Sequence, residues 1–203
     1  MSDSRVLIVG GGASGVISAI ALVRRGIPAH QIDIAEPREV LAEGLAYQTR
    51  DSLHRLNVPT GKMSAIQEAP DDFAHWSGAE SYSFMERKNY GKYLRERLAP
   101  GIRHIRDSVV DLLPKDDGSF EATLGSGEKN SYGAVVLAMG HGKARVPDFL
   151  EGLGESNRII EDVWGGSELP VVKNLICFGT GLTFIDVTLS HLARAEENRV
   201  IAI

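Results

Sequence analysis

Three glycines near the start of the chain, Gly10, Gly12 and Gly15, stand at the spacing that lets backbone amides close on a pyrophosphate. In the run Gly10-Gly11-Gly12-Ala13-Ser14-Gly15, Gly10 permits a tight turn and Gly12 lets the main chain approach the phosphates. Gly15 lets the following helix pack close to the preceding strand, and the unpaired N–H groups at that helix start face the anion. Glu36 follows 21 residues past Gly15, where a carboxylate accepts hydrogen bonds from the adenosine ribose hydroxyls and repels a 2′-phosphate. The pattern therefore selects FAD or NAD over NADP. At such a site the cofactor carries the hard chemistry, and the protein supplies position and electrostatics.

These residues need a strand before them and a helix after them. Val6-Leu7-Ile8-Val9 is a β-branched strand, and the apolar stretch 16–23 reads as a helix with Arg24-Arg25 at its C-terminus and Gly26 as its cap. Residues 31–35 form a second strand ending at Glu36. The stretch from there to about 62 is irregular, and a loop of this length in a compact domain is usually functional. Residues 71–77 read as a short helix with Asp71 or Asp72 near its cap. A longer one over 89–98 puts Tyr90, Tyr93, Leu94 and Leu98 on one face before Pro100-Gly101 stops it, a spacing that marks core. Then come short β-like runs at 105–113, 120–124 and 134–138, separated by Asp116-Asp117-Gly118 and Gly125-Ser126-Gly127. They read as a meander returning to the parallel sheet.

A second unit follows a connecting region marked by Pro147, Pro170 and glycines 152, 154, 165 and 166. Asn174-Leu175-Ile176-Cys177-Phe178 leads into Gly179-Thr180-Gly181-Leu182-Thr183-Phe184, an apolar helix to about 195 and a strand at 199–203. Phe184 stands where the third glycine would be, so the reading favours a second nucleotide site over a purely structural turn with a weaker signal than the first. Cys177 lies in an apolar strand and reads as an inert core thiol. The expected architecture is α/β: a Rossmann-like parallel sheet with a β-meander over 1–165, and the start of a second Rossmann-like β-α-β unit over 166–203.

Composition narrows the partners. The 203 residues carry a net charge of −5 and no Lys/Arg run longer than two, which gives no footprint for nucleic acid or anionic membrane. Asp3 and the triple glycine argue against a signal peptide at the apolar N-terminus. One cysteine excludes an internal disulfide and a C-x-x-C pair, which fits a reducing cytoplasm. Gly61-Lys62 and Gly142-Lys143 are not P-loops, because Leu56 and Leu137 occupy the position of the required earlier glycine. The six histidines lack metal-ligand spacing, no tyrosine has a lysine four residues on, and no G-x-S-x-G is present, so no metal site is expected. Lys62 reads as a solvated loop lysine, and neither it nor His141 is assigned a catalytic role.

Two Gly-rich β-α units around a meander, with Val135-Val136-Leu137-Ala138-Met139-Gly140 between them, resemble the plan of flavoproteins that bind two dinucleotides. Gly44-Leu45-Ala46-Tyr47, the run Leu56-Asn57-Val58-Pro59-Thr60-Gly61-Lys62-Met63-Ser64-Ala65, and Asp71-Asp72-Phe73 with Trp76 are similar to a bacterial family of FAD/NAD(P)-binding proteins related to flavin-dependent monooxygenases. The resemblance implies FAD at Gly10, Gly12, Ala13, Ser14, Gly15 and Glu36, with Asn57, Met63 and Ser64 near the flavin. It places Ala138 and Gly140 between the two nucleotide regions, and Gly179 and Gly181 facing NAD(P)H. Members of that family are longer, so the chain reads as one lacking the C-terminal part. The expected function is an FAD-dependent, NAD(P)H-linked oxidoreductase acting on a small molecule, monooxygenase-like in kind, with self-association through an open sheet edge. The alternatives are a non-catalytic dinucleotide-binding module and a single-site NAD-dependent dehydrogenase.

Overall fold

The computed structural model describes residues 5–142, 147–151, 159–160, 162–164 and 169–203. Lys143, the glycines at 152, 154, 165 and 166, and with them the expected domain boundary, lie outside the described residues.

Strand β1 (Val6–Val9) has Leu7 and Ile8 wholly inaccessible to solvent, as a continuous apolar run inside a parallel sheet must be. Helix α1 (Ala13–Arg24) starts from Gly12 as its N-cap and ends with Gly26 at φ +94°, whose N–H bonds the Val23 carbonyl at 3.0 Å. Its buried residues divide: Ala19 meets Ile8, Ile32 and Ile34 of the sheet, whereas Val16 and Ile20 turn to the apolar residues that follow β2. Strand β2 (Ile32–Ala35) pairs with β1 in parallel, Ile8 opposite Ile34, and Glu36 follows directly.

The stretch from 37 to 62 holds helix α2 (Gly44–Tyr47) and a 3-10 turn at Thr60–Lys62. Helices α3 (Asp72–Ser77) and α4 (Arg87–Arg97) pack Phe73, Tyr90, Tyr93 and Leu94 with Val16, Ile20 and Leu56 into one apolar cluster. The tyrosines are core, as their spacing predicts. Helix α4 begins two residues earlier than expected, after Glu86, and Leu98 is its C-cap.

One expected strand divides. The run 105–113 is two elements: β3 (Arg103–Ile105) joins the parallel sheet on β2, and β4 (Val109–Pro114) starts the meander. Asp107 makes the break, because its carboxylate accepts the Ser108 N–H at 2.7 Å and the Ser126 N–H at 3.0 Å and so turns the chain. Strands β4, β5 (Phe120–Leu124) and β6 (Lys129–Tyr132) pair antiparallel, and β7 (Ala134–Leu137) returns to pair with β1. Strand β6 escapes the pattern because in Lys129-Asn130-Ser131-Tyr132 only Tyr132 is buried. The parallel sheet runs β3-β2-β1-β7.

Alternation along the strands decides what each face carries. Ile8, Ile32 and Ile34 point to Ala19 of α1, whereas Leu7, Val9 and Ala35 meet Ala122 and Tyr132 of the meander. On the meander face Asp33 is fully buried, and three donors converge on it: Arg5, Arg103 at 2.6 Å and the Tyr132 hydroxyl at 3.0 Å. Burial and the Asp33 charge push the Tyr132 hydroxyl up to about 12.

After helix α5 (Asp148–Glu151), strand β8 (Asn174–Cys177), helix α6 (Leu182–Leu192) and strand β9 (Arg199–Ala202) make the second unit, with β8 and β9 parallel. Cys177 corrects the expectation of a core thiol: it is only half-buried in a strand with exposed positions, though burial still raises its pKa and keeps it a thiol. Among the described residues helix α6 meets the first unit through polar side chains. Arg87 pairs with Asp186 at 2.9 Å, and His54 Nε2 lies 3.0 Å from the Ser190 hydroxyl. Among the described residues no helix is long and apolar enough to cross a membrane.

Candidate dinucleotide site

The Gly10 turn is fixed by contacts that leave no room for side chains except in one direction. Gly10 has φ +101°, and a Cβ there would fall 2.3 Å from the Ala138 carbonyl oxygen. A Cβ on Gly15 would fall 1.9 Å from the Gly10 carbonyl oxygen, and one on Gly11 would strike Leu41 and Glu36. Gly12 differs: its Cβ would meet only the Gly44 Cα, at 3.5 Å, an ordinary contact. Protein packing therefore requires glycine at 10, 11 and 15, whereas at Gly12 a Cβ would meet no clash that demands glycine. Gly12 also starts α1, whose first internal bond is the Val16 N–H to the Gly12 carbonyl at 3.0 Å. The N–H groups of the preceding residues are those that an anion satisfies at a helix start. Ala13 is half-buried there and Ser14 is exposed.

Glu36 is held in place from all sides. Its backbone N–H bonds the Ile105 carbonyl at 2.9 Å, and its own carbonyl lies 2.8 Å from His104 Nε2. Its carboxylate accepts the Gly11 N–H at 2.9 Å, so Glu36 and the Gly10 turn are one hydrogen-bonded unit. Arg38 adds three more donors: its backbone N–H at 3.1 Å, Nε at 2.9 Å and Nη2 at 3.0 Å. Burial alone would raise the Glu36 pKa, but the Arg38 and Gly11 donors outweigh it and hold the carboxyl below its ordinary value. Burial and ion pairing act on Arg38 in the opposite balance, and its pairing with Glu36 keeps it charged.

The loop between β2 and α2 closes over this turn. Ala42 donates to the Gly11 carbonyl at 2.7 Å from a backbone with φ +75°, a conformation that costs a non-glycine residue about 1–2 kcal/mol. Beside it lies an open cleft of about 190 Å³ lined by Arg38, Glu39, Val40, Glu43, Gly44 and Gln48. Gly44 forms one of its walls, and a Cβ on Gly44 would fall 3.3 Å from the Gly12 Cα, so the cleft lies beside the turn. Sequence reasoning did not assign Arg38 or Gly44 to the site. The signal was there for both: a cation two residues from the acidic position, and a second glycine within a turn-rich loop.

The remaining expected site residues divide. Ala138 abuts Gly10, and its N–H extends the β1–β7 ladder to the Val9 carbonyl at 2.8 Å. Gly140 has φ +72° in open surroundings. Met63 packs against the cluster around Val16 and Leu56, which brings the segment 56–65 onto α1. Asn57 is exposed, and Ser64 turns its hydroxyl inward, 2.7 Å from the Ala69 carbonyl and 3.0 Å from the Ile66 N–H it accepts. Lys62 and His141 are exposed.

The second turn repeats the first in detail. Gly179 has φ +95° and its N–H bonds the Ile203 carbonyl at 2.8 Å, just as the Gly10 N–H bonds the Ala35 carbonyl at 2.9 Å. Gly12 and Gly181 cap their helices with nearly the same dihedrals, −69°/−170° and −72°/−172°. The packing differs: a Cβ on Gly179 or Gly181 would meet nothing within 4 Å, whereas one on Gly10 strikes the Ala138 carbonyl. The first internal bond of α6, from the Ile185 N–H to the Gly181 carbonyl, is 3.4 Å long rather than 3.0 Å. Among the described residues no three His, Cys, Asp or Glu side chains converge as a metal site.

Solved structures share this architecture. OTEMO in complex with FAD and NADP matches 97% of this chain with a TM-score of 0.66 and 18% identity. A cyclohexanone monooxygenase mutant from Rhodococcus sp. Phi1 bound to NADP+ matches 98% with a TM-score of 0.70 and 19% identity. S-allyl-L-cysteine S-oxygenase from Allium sativum matches 94% with a TM-score of 0.59 and 18% identity. The chain spans 38% of each of the first two and 49% of the third, and at these identities the likeness is one of fold. No curated protein matches the chain in sequence. A family model described as FAD-NAD(P)-binding matches residues 7–142, from β1 through the phosphate turn, the Glu36 loop and the meander to the end of β7. By that match the chain belongs to the FAD-NAD(P)-binding family.

Proposed function

We propose that this chain forms the dinucleotide-binding part of an FAD-dependent, NAD(P)H-linked oxidoreductase of the monooxygenase type, acting on a small molecule in the cytoplasm. The observation that carries the reading is the asymmetry of the first turn: Gly10 and Gly15 are demanded by packing, whereas a Cβ on Gly12 would make only an ordinary contact with the Gly44 Cα, so no clash inside the protein explains glycine there. A pyrophosphate on the N–H groups of the first turn of α1 would supply the reason.

FAD supplies hydride acceptance and the passage of electrons to oxygen or another acceptor. The residues of the chain have the tasks of holding and excluding. Gly10, Gly12, Ala13, Ser14 and Gly15 would hold the pyrophosphate, Glu36 the adenosine ribose, and the turn at Gly179 and Gly181 the nicotinamide dinucleotide. The segment carrying Met63 and Ser64, packed on α1, would border the ring system, with Ala138 and Gly140 marking the passage between the two nucleotides. Glu36 is placed for its task by the same Gly11 N–H that shapes the turn.

The test is the visible absorption of the purified chain with FAD, followed anaerobically by NADH and NADPH. A bound-flavin spectrum that bleaches with one nucleotide supports the oxidoreductase and names the reductant. A folded chain that takes up no FAD refutes the reading.

A further inference from the structure

The Glu36 carboxylate is saturated, and only part of what saturates it can leave. A carboxylate offers about four acceptor positions, and here each oxygen holds two donors. Oε1 takes the Arg38 N–H and Nε, and Oε2 takes the Gly11 N–H and the Arg38 Nη2. The two backbone donors belong to the turn and to the chain two residues on, and neither can withdraw without unmaking the loop. The two guanidinium donors sit on a side chain that is 43% exposed. A ribose diol that donates two hydrogen bonds to Glu36 needs just those two positions.

We infer that Arg38 is a specificity-determining clasp: its guanidinium occupies the ribose positions of Glu36 in the free protein, is displaced by an adenosine diol, and once released offers a cation to a 2′-phosphate at the same rim. This rests on the reading of the Gly10 turn and Glu36 as a dinucleotide site. The geometry gives the clasp somewhere to go, because Arg38 lines an open cleft that Gly44 walls on the side of the turn. Glu43, whose charge also acts on Arg38, lines that cleft too. The bare carboxylate would reject a 2′-phosphate by like-charge repulsion, whereas a guanidinium beside it takes phosphate oxygens two at a time. Arg38 therefore weakens binding of a free diol and softens the rejection of a phosphorylated one, two effects of opposite sign from one side chain.

The experiment titrates FAD into the whole chain and its Arg38→Ala, Arg38→Lys and Gly12→Val variants. FAD is then displaced with adenosine 5′-diphosphate or adenosine 2′,5′-bisphosphate, so that only the first turn is read. Arg38 is a surface side chain, and circular dichroism verifies that its variants fold. Arg38→Ala is expected to tighten FAD about two- to fivefold and to widen the preference for the diphosphate over the bisphosphate about tenfold. Arg38→Lys, which keeps charge without the fork, falls between. If Gly12→Val abolishes FAD binding while Arg38→Ala weakens it or leaves it unchanged, the clasp is overturned and the site stands. FAD binding that survives Gly12→Val, or that is absent from the unsubstituted chain, overturns the site and the clasp with it.

Discussion

Gly15 lies so close under the Gly10 carbonyl that an added Cβ would stand 1.9 Å from its oxygen, whereas one on Gly12 would meet only the Gly44 Cα, at an ordinary 3.5 Å. Two glycines of one turn therefore answer to different demands. Gly15→Ala is expected to lose about 1–3 kcal/mol of stability through overpacking, and FAD affinity only as a consequence. Gly12→Ala is expected to keep the wild-type melting temperature and lose FAD. Thermal denaturation alongside FAD titration separates them, and equal melting losses in both variants would contradict the assignment.

Glu36→Ala removes the acceptor that both Gly11 and Arg38 address. Weakening of FAD binding by about 1–3 kcal/mol is expected, the range for hydrogen bonds to a charged group. Isothermal titration reads it directly. An unchanged affinity would mean that another residue holds the ribose.

Arg87 and Asp186 form an ion pair with side chains only 13% and 8% exposed, and the Arg87 guanidinium also lies 5.1 Å over the Trp164 ring. Removal of one partner leaves the other charged in a dry place. Asp186→Ala is expected to cost about 3–5 kcal/mol and to change indole fluorescence, while the double change Arg87→Met with Asp186→Leu costs much less. Chemical denaturation of Arg87→Met, Asp186→Leu and the two together forms a double-mutant cycle, and additive losses would show that the pair is not coupled.

Asp72 answers to pH. The Arg97 guanidinium, 2.7 Å away, holds its carboxyl below the ordinary range against the opposing effect of burial. The stabilisation is complete above the ordinary Asp value of about 3.9 and is lost as acid titrates the carboxyl through its lowered folded pKa. Asp72→Asn should therefore cost about 0.5–1 kcal/mol at pH 7 and nothing near pH 2, a convergence that urea melts at the two values would reveal.

Asp33 organises the far face of the sheet. Asp33→Ala is expected to cost about 3 kcal/mol, since it strips the counter-charge from Arg5 and Arg103. The sharper readout is Tyr132, whose hydroxyl burial and Asp33 together push up to about 12. Without the carboxylate its pKa should fall toward the ordinary value of about 10, and ultraviolet titration of tyrosine would detect it.

How far the sequence could be read follows from what each residue answers to. Val6-Leu7-Ile8-Val9 and its glycines were legible because strand, turn and helix agree there on three separate signals. Tyr90 and Tyr93 were legible as core from spacing alone. The division of 105–113 was not, because Asp107 ends one strand and starts another through side-chain bonds to Ser108 and Ser126, one of them distant in sequence. Arg38 escaped because a cation beside a carboxylate is common on surfaces, and only the count of donors on Glu36 gives it meaning. His54 has no metal-ligand spacing to the other histidines, and its place between Thr49 at 2.7 Å and Ser190 at 3.0 Å was not legible, because tertiary folding creates the second contact.

The order β3-β2-β1-β7 has a further consequence, for the path of folding. Val6 meets Ile32 after one short helix, but it meets Ala134 only after the chain has passed through α2, α3, α4 and the whole meander. Closing so large a loop costs entropy that must be offset before the β1–β7 ladder returns anything. The Gly10 turn, built on β1, α1 and β2, can therefore begin as an early local unit, while Ala138, which backs Gly10, arrives with the last strand of the parallel sheet.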